Sequence, residues 1–263
     1  MEKAWKAYFK IKKTVSLNNP ARLIKKPFDC LTLISPILLY CSEIWGAFYS
    51  LKDSDPFENL HLKFIKETLG VNCKASNDAC RAELARLPLR NLIHASCKYF
   101  LDYILSSDNT LIYQIYNATK TSNPWIKKTK YLLDSLGYSY IFDNNVNFKH
   151  QLINIKQRIK DQNLQNQNSN ICQSSKLNFF RTFYNMGQRP AYVDSLVNIL
   201  ERAAISKIRT SAHLLMIERG RHKNIPTSER FCSLYIWKNW KWKTFPYTLS
   251  RIWTAKTNIC KQN

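Results

Sequence analysis

Glycine is scarce. The 263 residues contain five, with nine prolines, too few for the many tight turns of a protein built from short strands. Acidic side chains are also few: 18 Asp and Glu stand against 40 Lys and Arg, a formal charge of +22. That balance favours a polyanionic partner. No C-x-x-C pair occurs among the eight cysteines, which fall singly at 30, 41, 73, 80, 97, 172, 232 and 260. They read as reduced, mostly buried thiols of an intracellular protein. The most apolar charge-free stretch, CLTLISPILLYCS at 30–42, has thirteen residues, short of the ~20 that cross a bilayer. It reads as a core helix, and no membrane partner is implied. A Gly-rich phosphate loop and a G-x-S-x-G nucleophile turn are missing too. Hydrophobic residues, by contrast, make up 45% of the chain, which supports a real core and argues against disorder.

What is present is helical periodicity. Residues 2–14 form a short basic amphipathic helix, with Trp5, Tyr8, Phe9 and Ile11 apolar and Lys3, Lys6, Lys10, Lys12 and Lys13 charged. Within the apolar stretch 21–50, Pro36 predicts a kink or an interruption. Asp53, Ser54, Asp55 and Pro56 punctuate the chain, and D-S-D reads as a turn. A helix through Leu60, Leu62, Phe64, Ile65 and Leu69 ends at Gly70. Asn77 and Asp78 are placed to cap a helix over 79–86. Further helices are expected over 89–107, 109–119, 124–136 and 144–165, the third of these stopped by Gly137. The Gln/Asn/Ser-rich segment near 162–175 reads as a linker or loop. A last helix over 192–218 shows an apolar face of Leu200, Ala204, Ile208, Ala212 and Leu215. Gly220 then permits a turn and Pro226 stops further helix. Roughly eight to eleven helices make a mainly α protein.

Four blocks carry a resemblance: S-P-I-L-L-Y-C-S-E-I-W-G at 35–46, E-N-L-H-L-K-F-I-K-E-T-L-G-V at 58–71, A-E-L-A-R-L-P-L at 82–89, and R-T-S-A-H-L-L-M-I-E-R-G-R-H at 209–222. In this order they resemble the thumb and post-polymerase segments of LINE-type, non-LTR retrotransposon reverse transcriptases. The corresponding motifs there are P-I-L-L-Y-G-S-E-I-W-G, L-E-x-L-H-x-K-F-x-K-x-I-L-G-V, x-E-L-G-R-x-P-L and R-x-S-A-H-x-L-x-I-E-R-G-R. Cys41 and Ala85 stand where the family motifs have glycine, and Tyr235 stands where a zinc-knuckle cysteine would follow Cys232. With only Cys232, Cys260 and His222 as scattered candidates, no metal site is expected. The family's polymerase carboxylates sit in an aromatic-Ala-Asp-Asp turn that this sequence lacks. The resemblance therefore implies a remnant without a catalytic site, not an enzyme, and no cofactor.

The same resemblance implies a thumb-like helical bundle over 1–107, a post-polymerase helical region over 108–235, and a poorly ordered tail over 236–263. In intact relatives these parts hold a template–primer duplex, so the expected partner is RNA or DNA, gripped by its backbone. The candidate phosphate contacts are Lys3, Lys6, Lys10, Lys12 and Lys13, with a second set of Arg209, Arg219, Arg221, His222 and Lys223. His61 reads as a solvated surface residue beside Lys63, and Tyr40, Glu43 and Trp45 read as packing residues. The tail from Ile236 has no acidic residue, six basic ones, and Trp237, Trp240, Trp242 and Trp253. Two readings of it stay open. It is a frameshift product of the family's Glu-rich knuckle, or it is an evolved stacking strip of a stand-alone helical nucleic-acid-binding protein.

Overall fold

The computed structural model describes residues 2–14, 34–49, 52–106, 111–141, 148–195, 199–213, 215–226 and 229–230. It is mainly α, and no strand occurs among the described residues. In chain order the helices are α1 (Glu2–Thr14), α2 (Ser42–Trp45), α3 (Pro56–Leu69), α4 (Asn77–Glu83), α5 (Arg90–Ser106) and α6 (Leu111–Thr119). There follow α7 (Pro124–Asp134), α8 (Phe148–Gln173), α9 (Asn178–Arg181), α10 (Ala191–Ser195), α11 (Ile199–Arg209) and α12 (Met216–His222). A further helical stretch covers 34–38. Residues to Ala212 pack as one compact unit, and a second begins at His213.

Local chemistry sets many of these ends. Pro56 opens α3, where its missing N–H costs nothing, and Gly70 closes it at φ 65, a left-handed turn that suits glycine. Gly70 also lies so close to α11 that a Cβ on it would meet the Ala203 Cβ at 2.5 Å. Asn123 caps α7 by accepting a hydrogen bond from the Trp125 N–H at 2.8 Å. Gly46 lies against α5: an added Cβ would meet Ile93 Cγ2 at 2.3 Å, so this glycine is needed for close approach.

Several expectations need correction. The boundary at 107/108 falls inside one packed region, because Cys97, Leu101 and Ile104 share a core with Trp125, Leu133, Ile155 and Ile159. No loop forms near 162–175, since α8 continues to Gln173. Its polar end is docked: Gln167 and Asn170 donate to the Asp78 carbonyl and carboxylate at 3.2 and 3.0 Å, and Ile171 is fully buried. The helix placed over 192–218 is broken by Ser211 at φ 54, with the Ala212 N–H turning back to the Lys207 carbonyl. Its Leu200 and Ala204 are exposed, while Arg202, Ala203 and Ser206 face inward. Ser76, rather than Asn77 or Asp78, caps α4 through the Ala79 N–H. The interruption expected near Pro36 comes after it, at Cys41 with φ 54. Gly220 is helical inside α12, and the turn falls at Asn224 with φ 55. The tail over 236–263 lies outside the described residues, as do Cys232 and Cys260.

Candidate nucleic-acid interface

Helix α1 is fixed by its inner face. Ala4 and Tyr8 are buried against Ile34, Leu38, Leu60, Phe64, Leu89 and Ile93. The Tyr8 hydroxyl donates to the Glu67 carboxylate on α3. Burial, joined by Glu67, pushes the Tyr8 phenol well above its ordinary pKa, so it stays a donor. With that face buried, Lys3, Lys6, Lys10 and Lys13 are exposed on the rest of the helix. Lys6 pairs with Glu2 at 2.6 Å, but both side chains are mostly exposed and such a pair is readily exchanged for another anion. The Lys12 side chain lies outside what the structure describes. From α3, the Lys63 ammonium reaches over the rings of Trp5, Tyr8 and Phe9, at 5.2, 6.0 and 5.4 Å from their centroids.

The second set of candidates divides. Arg209 belongs to the first unit and is committed there. Its Nε donates to Glu83 Oε1 at 2.5 Å, and the guanidinium lies over Phe180, Phe183 and Tyr192 at 5.6, 5.7 and 5.5 Å. Glu83 has no exposed surface and also accepts from the Tyr192 hydroxyl at 3.0 Å, which in turn meets Ser206. Burial pushes the Glu83 carboxyl above its ordinary pKa despite Arg209 and Tyr192. Arg209 therefore serves the interior. In the second unit, Arg219 and Lys223 are exposed and Arg221 pairs with Glu218 at 2.9 Å. The His222 side chain is outside the described residues.

His61 is buried, 3.1 Å from Glu58 Oε1, and not a surface residue. Tyr40 is 78% exposed and not a packing residue, while Trp45 stacks on Phe57 and donates to the Tyr40 carbonyl. A buried charge cluster escaped the sequence reading altogether. Arg81, 1% exposed, donates to Asp53 at 2.6 Å and Glu58 at 2.8 Å, and more weakly to Asp78 at 3.3 Å. Glu58 also accepts the Leu89 N–H at 2.8 Å. Only the i,i+3 spacing of Asp78 and Arg81 hinted at it locally. Asp53 is thus held in a turn by an arginine, and no three or more His, Cys, Asp or Glu side chains among the described residues are placed to hold a metal ion. No helix among them is long and apolar enough to cross a membrane.

Comparison with family models, with curated proteins and with solved structures gives no match to this chain.

Proposed function

We propose that the chain is the thumb and post-polymerase part of a LINE-type reverse transcriptase, binding RNA or DNA through the backbone and lacking the polymerase carboxylates. The observation that supports this reading is conformational. Cys41 and Ala85, which stand where the family motifs have glycine, take φ of 54 and 49, the left-handed region that glycine fills without strain. Residues of two resembling blocks also meet: Glu83 pairs with Arg209 across 126 positions. Those residues build the scaffold, so the phosphate-binding charges are the exposed ones: Lys3, Lys6, Lys10 and Lys13 on α1, and Arg219 and Lys223 on the second unit.

Two assays on the full chain test this. Binding to a short duplex of RNA or DNA is expected to weaken about 10³-fold or more between 50 and 200 mM salt, if six or more phosphates are contacted, with little sequence preference. Primer extension on an RNA template with Mg²⁺ or Mn²⁺ is expected to give no product. Salt-insensitive binding, or extension above a no-protein control, would overturn the reading.

A further inference from the structure

Phe9 is a large apolar ring left 47% exposed in the middle of a lysine-rich helix. A single exposed aromatic is ordinary, but this one is part of a built surface. It lies near-parallel to Trp5, with ring centroids 5.9 Å apart and planes at 27°. Tyr8 meets both rings edge-on, at 6.0 Å from Trp5 and 5.3 Å from Phe9, and is itself anchored by burial and by Glu67. The Lys63 ammonium, drawn from another helix, adds a cation–π contact to all three. The rings are therefore held in place before any ligand arrives, which limits the ordering cost of stacking on them. Phe9 has Lys6 three positions before it and Lys13 four after it, the two spacings that make helix-surface neighbours. Both lysines are exposed. A half-exposed aromatic ring bordered by ammonium groups is complementary to a nucleotide, a flat base beside a phosphate.

We propose that Phe9, backed by Trp5 and flanked by Lys6 and Lys13, stacks an unpaired base, so that α1 takes single-stranded nucleic acid and not only duplex backbone. In a duplex the base faces are covered by their neighbours, which restricts this contact to an unpaired or terminal nucleotide. The inference rests on the nucleic-acid-binding reading above and deepens it.

The test compares a labelled oligothymidine with a strand of the same length and charge in which abasic linkers replace the nucleosides, both titrated into the full chain. Wild type is expected to bind the intact strand about tenfold or more tightly than the abasic one. Phe9→Ala is expected to erase most of that preference while leaving the abasic affinity nearly unchanged, with only a small drop in melting temperature from the lost ring contacts. Phe9→Trp is expected to keep the preference, which guards against a folding artefact. Equal binding of both strands by wild type overturns the stacking proposal and leaves backbone binding standing. A preference that survives Phe9→Ala assigns the stacking to other rings and overturns it too. Failure to bind either strand overturns both this proposal and the reading beneath it.

Discussion

Around Arg81 three carboxylates converge, whereas around Arg202 no carboxylate among the described residues does. Both arginines are fully enclosed, at 1% and 0% exposure. Arg81 is bonded by Asp53, Glu58 and Asp78, whereas Nε and both Nη atoms of Arg202 are buried without a hydrogen-bond partner. Burial lowers the basicity of each; Asp53 and Glu58 more than restore it for Arg81, while for Arg202 only the Tyr192 phenol opposes the loss. The Arg81 region is held together by the charge itself, which joins the turn at 53–55 to α3 and α4. The α11 region is held by the Arg209–Glu83 pair, by the close fit of Ala203 on Gly70 and by the Ser206–Tyr192 contact, and the Arg202 guanidinium is merely enclosed. The same residue type is structural in one place and a burden in the other, and the partners decide which.

The largest expected effect breaks the first half of that comparison. Arg81→Met leaves Glu58 buried without its main cation, and a loss of about 3–5 kcal/mol is expected in urea unfolding. The acid limb should move as well. For both carboxyls burial alone would raise the pKa, but Arg81 with Asn77 and Arg90 outweighs it at Asp53, and His61 followed by Arg81 outweighs it at Glu58, so both titrate below their ordinary values. A lowered folded value contributes stability above the unfolded pKa near 4, and that stability is lost as pH falls through the folded value. In Arg81→Met this loss should begin at higher pH. A midpoint unchanged at pH 7 would show that the cluster holds nothing.

Next in size, Arg202→Met is expected to stabilise, by about 1–3 kcal/mol, since it removes buried donors that have no acceptor. Opposite signs for the two Arg→Met exchanges are the sharpest form of the comparison. A clear destabilisation by Arg202→Met would mean that the guanidinium finds an anion in solution.

The smallest effect concerns the backbone. Cys41→Gly and Ala85→Gly should each stabilise by about 1 kcal/mol, because an L side chain is strained where φ is positive. Each is expected to raise the melting temperature by about 2–4 °C. The same exchange at exposed Ala204, inside α11, should instead cost about 1 kcal/mol. Equal effects at all three positions would remove the conformational support for the family reading.

What was legible in the sequence was local. The Gly70 stop, the turn before Pro56 and the run of Ile93, Cys97, Leu101 and Ile104 along α5 all follow from spacing within a few turns. Lys3, Lys6, Lys10 and Lys13 of α1 were legible for the same reason, as their exposure follows from the buried Ala4 and Tyr8 on the opposite side. Arg209 was not, because Glu83, which claims it, lies 126 residues away. Nor was the inward face of α11, where Arg202 and Ser206 are buried in place of Leu200 and Ala204. Periodicity gave the wrong face there, because Gly70, remote in sequence, and Tyr192, on the preceding helix, choose which side faces in.

The docked end of α8 bears on the order in which the molecule assembles. At 26 residues the helix is about 39 Å long. Its first part has the buried pair Ile155 and Ile159 to anchor it, whereas the stretch from Asn163 to Asn170 is polar but for Leu164 and meets Asp78 in the first turn of α4, 89 or more positions away. Such a sequence has little reason to stay coiled before that turn of α4 exists. Its amides should therefore exchange with solvent together with those of α4 rather than with the first turns of its own helix, making one continuous rod two separate units of cooperativity.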